Sequence, residues 1–210
     1  MAKAVTSTTR RRLSRADRAQ QLLAVAEAVF AERGIRAVSM DEIAERAGVT
    51  KPLLYDHFGS KDGLVAAVVE QAGQVLADTV LAAVAEAPDA ETALACGLRA
   101  YFGFIDDRRS AWHALLADAA TPGSQAGAAL DRIRDRQAEL IAGLLQPEAP
   151  AASGETARLY AEIIVGATER LAARIEPPVG SVDNLTRHVM DVIWQGLDAV
   201  RAGRRWDSSN

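Results

Sequence analysis

The sequence predicts an all-α fold of about nine helices, with a short three-helix head joined by a long helix to a larger helical body. Three observations carry this. Apolar residues recur at helical spacing along the chain. No stretch shows sustained period-two alternation rich in β-branched residues, so no sheet is expected. Ser, Thr or Asp stands before the apolar runs and Gly or Pro after them, as helix starts and stops require.

In chain order, Leu22, Ala26, Val29 and Phe30 form the first apolar stripe, and Gly34 stops it. Ser39 followed by Glu42 reads as a capping box for a second helix with Ile43, Ala44 and Ala47, ended by Gly48. Thr50 caps a third, with Pro52 where a missing N–H costs little. Its apolar positions are Leu53, Leu54 and Phe58. Ser60 opens a long fourth helix through Leu64, Val68, Leu76 and Val84, stopping before Pro88. Asp89 opens the fifth, with Leu94, Leu98, Tyr101, Phe102 and Ile105 on one face. A sixth is expected at about 110–119 and a seventh at about 125–145. The eighth runs through Leu159, Ile163, Ala167, Leu171 and Ile175, and the ninth through Leu185, Val189, Ile193, Leu197 and Val200.

The chain of 210 residues carries a formal charge of -4, which at first argues against a polyanionic partner. The charge is unevenly spread. Residues 1–61 hold eleven Lys/Arg against seven Asp/Glu, +4, and the remainder holds thirteen against twenty-one, −8. A basic head on an acidic body suits a two-part protein with one anionic partner. A single cysteine, Cys96, excludes an internal disulfide and fits a reducing cytoplasm. The N-terminus lacks the apolar segment of a secretory signal, and no run of about 18 apolar residues points to a membrane span.

From Met40, Ala44 falls at the fifth place, Gly48 at the ninth and Leu54 at the fifteenth. A small residue at the fifth place lets two helices cross closely. The glycine turns the chain, and the later apolar residue packs the second helix back on the first. This spacing describes a helix-turn-helix over 39–58, whose second helix exposes its N-terminal half.

The wider string resembles the N-terminal domain of the tetracycline-repressor (TetR) family of bacterial transcriptional regulators. It runs Val29-Phe30-x-x-x-Gly34, then Ser39-x-x-x-Ile43-Ala44-x-x-Ala47-Gly48-Val49-Thr50-Lys51, then Leu54-Tyr55-x-His57-Phe58-x-Ser60-Lys61. The resemblance implies a basic N-terminal arm at 1–15, a DNA-binding domain at 16–76, and a helical ligand-binding and dimerisation domain at 77–210. It also implies a repressor that a small-molecule effector releases from its double-stranded DNA operator.

DNA contacts are then expected from Ser39, Thr50, Lys51, Leu53, Tyr55, His57 and Lys61. Lys51 and Lys61 suit phosphate or guanine, the helix start at Thr50 suits phosphate, and Leu53 suits a thymine methyl. Asp41 and Glu42 should turn away from a polyanion or make rare cytosine contacts, and the Arg10–Arg12, Arg15, Arg18 arm can follow the backbone or enter a minor groove. Dimerisation is expected through about 157–175 and 184–201, where Gly166, Ala167 and Gly196 permit close approach. An effector pocket is expected among Tyr101, Phe102, Phe104, Trp112, His113 and Tyr160, with Glu169 and Arg170 as polar contacts.

Enzyme readings find no support in the motifs. His57, His113 and His188 show no metal-ligand spacing, and with one cysteine there is no zinc pattern. No glycine-rich phosphate loop or nucleophile elbow is present. No cofactor, no membrane partner and a cytoplasmic location are expected. The rival readings are a helical small-molecule-binding protein whose head ignores DNA, and a helical enzyme.

Overall fold

A reciprocal cap starts the first helix. The Ser14 hydroxyl accepts from the Asp17 N–H at 3.0 Å, while the Asp17 carboxylate accepts from the Ser14 N–H. A computed structural model describes residues 14–119, 121, 123–147, 153–173 and 181–201; the Arg10–Arg12 arm and Ile175 lie outside them. The described helices are α1 (Arg15–Arg33), α2 (Met40–Ala47), α3 (Lys51–Phe58), α4 (Lys61–Val84), α5 (Ala90–Asp107), α6 (Arg109–Ala119), α7 (Gln125–Leu145), α8 (Gly154–Ala172) and α9 (Val182–Arg201). Among the described residues there is no strand, so the all-α architecture expected from periodicity is the one found.

Side-chain caps recur. Ser39, Ser60, Asp89, Ser124 and Ser153 each accept a hydrogen bond from the N–H three residues on. Two details differ from expectation. The Glu42 carboxylate does not return the bond to Ser39, because Arg33 holds it at 2.5 Å. Thr50 stands at the cap of α3 in extended conformation, yet its hydroxyl makes no capping bond.

The head core is built by Leu22, Phe30, Ile43, Leu54 and Leu64, all fully buried. The same cluster continues into the body through Leu115, Ala126, Ala129 and Ile133, so head and body share apolar packing rather than a flexible joint. α4 serves both parts. Its Leu64–Val69 stretch belongs to the head cluster, while Ala72 and Leu76 belong to the body cluster with Leu98, Phe102 and Ile105. By length and composition alone, α4 is long and apolar enough to cross a membrane, with mean hydropathy 1.4, and its buried residues face these two cores. α7 and α8 cross where Ala138 and Ala161 are fully buried, small side chains that let the helix axes come close.

Candidate nucleic-acid interface and body cavity

α2 and α3 meet through a turn of three residues, Gly48, Val49 and Thr50. Gly48 takes φ 64° and ψ 35°, the left-handed conformation that glycine reaches without strain. The N–H of Gly48 and that of Val49 fold back on the carbonyls of Glu45 and Ala44 at 3.0 Å, closing the end of α2. Leu54 is then fully buried on one side of α3, with Phe58 packed against the same cluster.

That anchoring turns the opposite side outward. Lys51 and Tyr55, one turn apart, are exposed, Tyr55 by 41%. Leu53 and His57 are half-buried, and the His57 ring lies 5.8 Å from that of Phe58, tilted against it. Ser39 and Thr50 are exposed, and Lys61 is half-buried at the start of α4. All seven residues expected at a DNA surface therefore lie on the head, and none is buried. Tyr55 is not a core residue.

The charges on this surface are largely pre-paired. Lys51 Nζ donates to Asp41 Oδ2 at 2.8 Å, and that carboxylate holds the Lys51 ammonium above the ordinary lysine range. Arg46 pairs with Glu32 at 2.5 Å and Arg15 with Asp56 at 3.6 Å. The Glu32 carboxyl is held below its usual range by the hydrogen bond from Arg46. Among the described residues, Lys61 and Arg36 form no ion pair or side-chain hydrogen bond. Arg36 is exposed in the turn before Ser39, and the sequence reading missed it. Its signal was a cation three residues ahead of a helix cap, too common to single out.

The body contains a partly open cavity of about 150 Å³. Its walls come from α4 (Gly73 to Val84), α5 (Ala93 to Tyr101), α7 (Ile133 to Leu144) and two residues of α8, Ile164 and Thr168. Of the six residues expected to line a pocket, Tyr101 is on this wall. The other five stand elsewhere. Phe102 is fully buried in the body core. Phe104 and Trp112 pack edge to face with centroids 6.2 Å apart, and among the described residues the buried Trp112 Nε1 has no hydrogen-bond partner. His113 is exposed, and Tyr160 packs half-buried against the body cluster. Small residues line it at Ala77, Ala93 and Gly97. Glu169 is not free for a ligand, because Arg134 grips both of its oxygens, and Arg170 is exposed.

Comparison with known proteins follows the same division of the chain. A family model described as bacterial regulatory proteins of the tetR family matches residues 22–68, and one described as a tetracyclin repressor-like C-terminal domain matches residues 90–196. The chain belongs to the TetR family. A TetR-like regulator from Rhodococcus sp. RHA1 has 33% identity and a TM-score of 0.68, with 89% of this chain and 99% of that one covered. A TetR-family regulator from Streptomyces coelicolor has 27% identity and a TM-score of 0.73, covering 91% and 84%. Among curated TetR-type proteins, the activator FasR of Mycolicibacterium smegmatis is 44% identical over 95 residues, 45% of this chain and 43% of its own. The repressor KstR2 of Mycobacterium tuberculosis is 49% identical over 45 residues, 22% of its length. The chain thus aligns with less than half the length of these curated relatives, and all are transcriptional regulators. The family's two modules are both present here.

Proposed function

We propose that this protein is a dimeric, sequence-specific DNA-binding regulator in the cytoplasm, whose hold on its operator is set by a small molecule in the body cavity. One observation carries the reading. α4 begins at Lys61, separated by two residues from the end of the helix that carries Lys51 and Tyr55, and from Gly73 onward the same helix forms a cavity wall. From Lys61 to Leu76 the helix spans about 22 Å. A ligand that displaces the wall tilts a rigid lever whose other end carries a cation of the DNA face.

Two further contacts tie body to head. Asp62 Oδ2 accepts from the Gln125 N–H at 3.2 Å, joining the start of α7 to that of α4. Arg108 stacks 4.4 Å from the Phe104 ring centre and reaches Glu27 of α1 at 3.8 Å. For the ligand to weaken DNA binding, it must prefer the conformation that fits DNA less well.

The dimer surface we assign is an exposed apolar stripe on α8. Leu159 is 59% exposed and Ile163 64%, with Ala167 and Leu171 continuing the line. On α9, Val192 is 75% exposed and Gly196 lies one turn on, whereas Val189 is buried within the protomer and Ile193 is half-buried. The side chains of Leu197 and Val200 lie outside the described residues. Two α8 and two α9 helices then form a four-helix interface, placing two recognition helices for half-sites ~34–36 Å apart. We assign repression by occupancy as the mode of action.

A gel-shift titration with the intergenic DNA upstream of the protein's own coding sequence tests the reading. A discrete complex that resists unrelated duplex supports it, and Tyr55→Ala or Lys61→Ala should weaken that complex with folding intact. Equal affinity for every duplex contradicts it. A promoter-reporter assay reads the sign of regulation.

A further inference from the structure

The cavity has a polar end and an apolar end, and this asymmetry specifies a class of ligand. The inference rests on the cavity being the effector site. Contacts between the helices fix its register. Gly73 abuts Ile133 so closely that a Cβ there would lie 2.4 Å from Ile133 Cδ1, which closes the floor. Asp62 of α4 meets Gln125 of α7 and Gly73 meets Ile133, so these two helices run side by side in one direction. Gly97 of α5 faces Val80 and Val84, so Tyr101, one turn further on, lies nearer the floor than Gly97 does. Above that level, the walls at Val84, Leu94 and Leu144 are wholly apolar. The wall from Gly73 to Val84 is about 16 Å long, and with 150 Å³ of space the cavity is a narrow slot rather than a round chamber.

At the lower level three donors face the slot without full satisfaction. The Tyr101 hydroxyl hydrogen-bonds to no described residue, and burial pushes its phenol above the ordinary tyrosine range, so it keeps its proton and can donate. The Gln137 amide has no hydrogen-bond partner among the described residues. Arg136 shares its carboxylate partner. Arg132 reaches Glu70 at 2.6 Å and Arg136 only at 3.4 Å, which leaves two guanidinium groups on one carboxylate and a surplus positive charge at the rim. Nearby Glu169 is held at both oxygens by Arg134, and its charge still reaches Tyr101, where it helps keep the phenol protonated. The Thr168 hydroxyl is spent on the carbonyls of Ile164 and Val165. An arginine with free donors suits a carboxylate, and a phenol and an amide add orientation.

We infer that the effector is an anionic amphiphile, a carboxylate head on a slender unbranched apolar tail. The head meets Arg136, Gln137 and Tyr101, and the tail lies along Leu94, Val84 and Leu144. A chain longer than the free space must part α4 from α7, which is the motion that reaches Lys61.

Calorimetric titration of the full-length protein with octanoate, 1-octanol and octylamine tests this. Octanoate should bind roughly tenfold or more tightly than the other two. Arg136→Gln, a change at an exposed position, should reduce octanoate to the level of 1-octanol and leave 1-octanol unchanged. Gly97→Leu, filling the tail end, should weaken both. Equal binding of octanoate and 1-octanol overturns the inference, as does an Arg136→Gln variant that keeps the preference, or no binding by any of the three. DNA selection is read separately. A protein that selects its own intergenic DNA yet ignores octanoate removes this inference alone, whereas octanoate binding without DNA selection removes the regulator reading.

Discussion

Replacing Gly73 with alanine puts a methyl group 2.4 Å from Ile133 Cδ1 and 2.5 Å from Ile133 Cγ1, where two carbons prefer about 3.5–4.0 Å. Restoring contact distance moves α4 from α7 by more than about 1 Å, or forces Ile133 off its rotamer. Overpacking of this kind costs about 1–3 kcal/mol. Against it stands the gain from removing a glycine inside a helix, about 1 kcal/mol. The single variant should therefore lose up to about 2 kcal/mol, a fall in Tm of up to about 8 °C for a chain of this size. Ile133→Ala alone should lose about 2–5 kcal/mol, since Ile133 is 3% exposed. In that background the obstructing atoms are gone, and Gly73→Ala should become stabilising by about 1 kcal/mol. Urea denaturation of the four proteins at one fixed protein concentration reads the sign reversal. If Gly73→Ala shifts stability equally in both backgrounds, the α4–α7 contact does not set the cavity floor.

Four further outcomes are expected. Asp41→Asn frees Lys51 from its carboxylate, so duplexes of any sequence should bind more tightly, and the slope of log K against log salt should steepen by about 0.9. Anisotropy at several salt concentrations measures this, and an unchanged slope would mean that Lys51 meets no phosphate. Ile163→Glu places a charge on the exposed α8 stripe and should give monomers by light scattering, with each head still folded. The Asp89 carboxyl is held below its ordinary value of 3.8, chiefly by the hydrogen bond from the Thr92 N–H. Its contribution is therefore present above that value and lost as pH falls through the lower folded-state value, so Asp89→Asn should flatten the acid limb of the stability profile below about pH 4. Arg36→Ala should weaken operator binding by a similar factor for every base sequence, as expected of a phosphate contact.

The head was legible because its geometry is local. A cap at Ser39, a left-handed glycine at Gly48 and a buried Leu54 are requirements of a short helix pair, and each follows from neighbours within a few residues. Thr50 shows where that logic stops, since cap preference names the residue but not whether its hydroxyl bonds. In the body, aromatic spacing identified an apolar face and not a void. Phe102, Phe104 and Trp112 fill the core, and the cavity lies beside small residues that side-chain size alone marks weakly. The ninth helix makes the same point. Its apolar spacing marks one face, but packing in the body cluster with α5 residues decides that Val189 turns inward while Val192 is left for a partner. These choices depend on helices far apart in sequence.

The central claim joins a DNA-reading head to a ligand-gated body, and one titration addresses both halves. Fluorescence anisotropy of the labelled upstream intergenic duplex with the full-length protein should show saturable binding that excess unrelated duplex does not compete away. Octanoate should then lower that affinity, with no such effect on the Arg136→Gln variant. Binding that unrelated duplex abolishes, or operator affinity that octanoate leaves unchanged while occupying the cavity, would contradict the account.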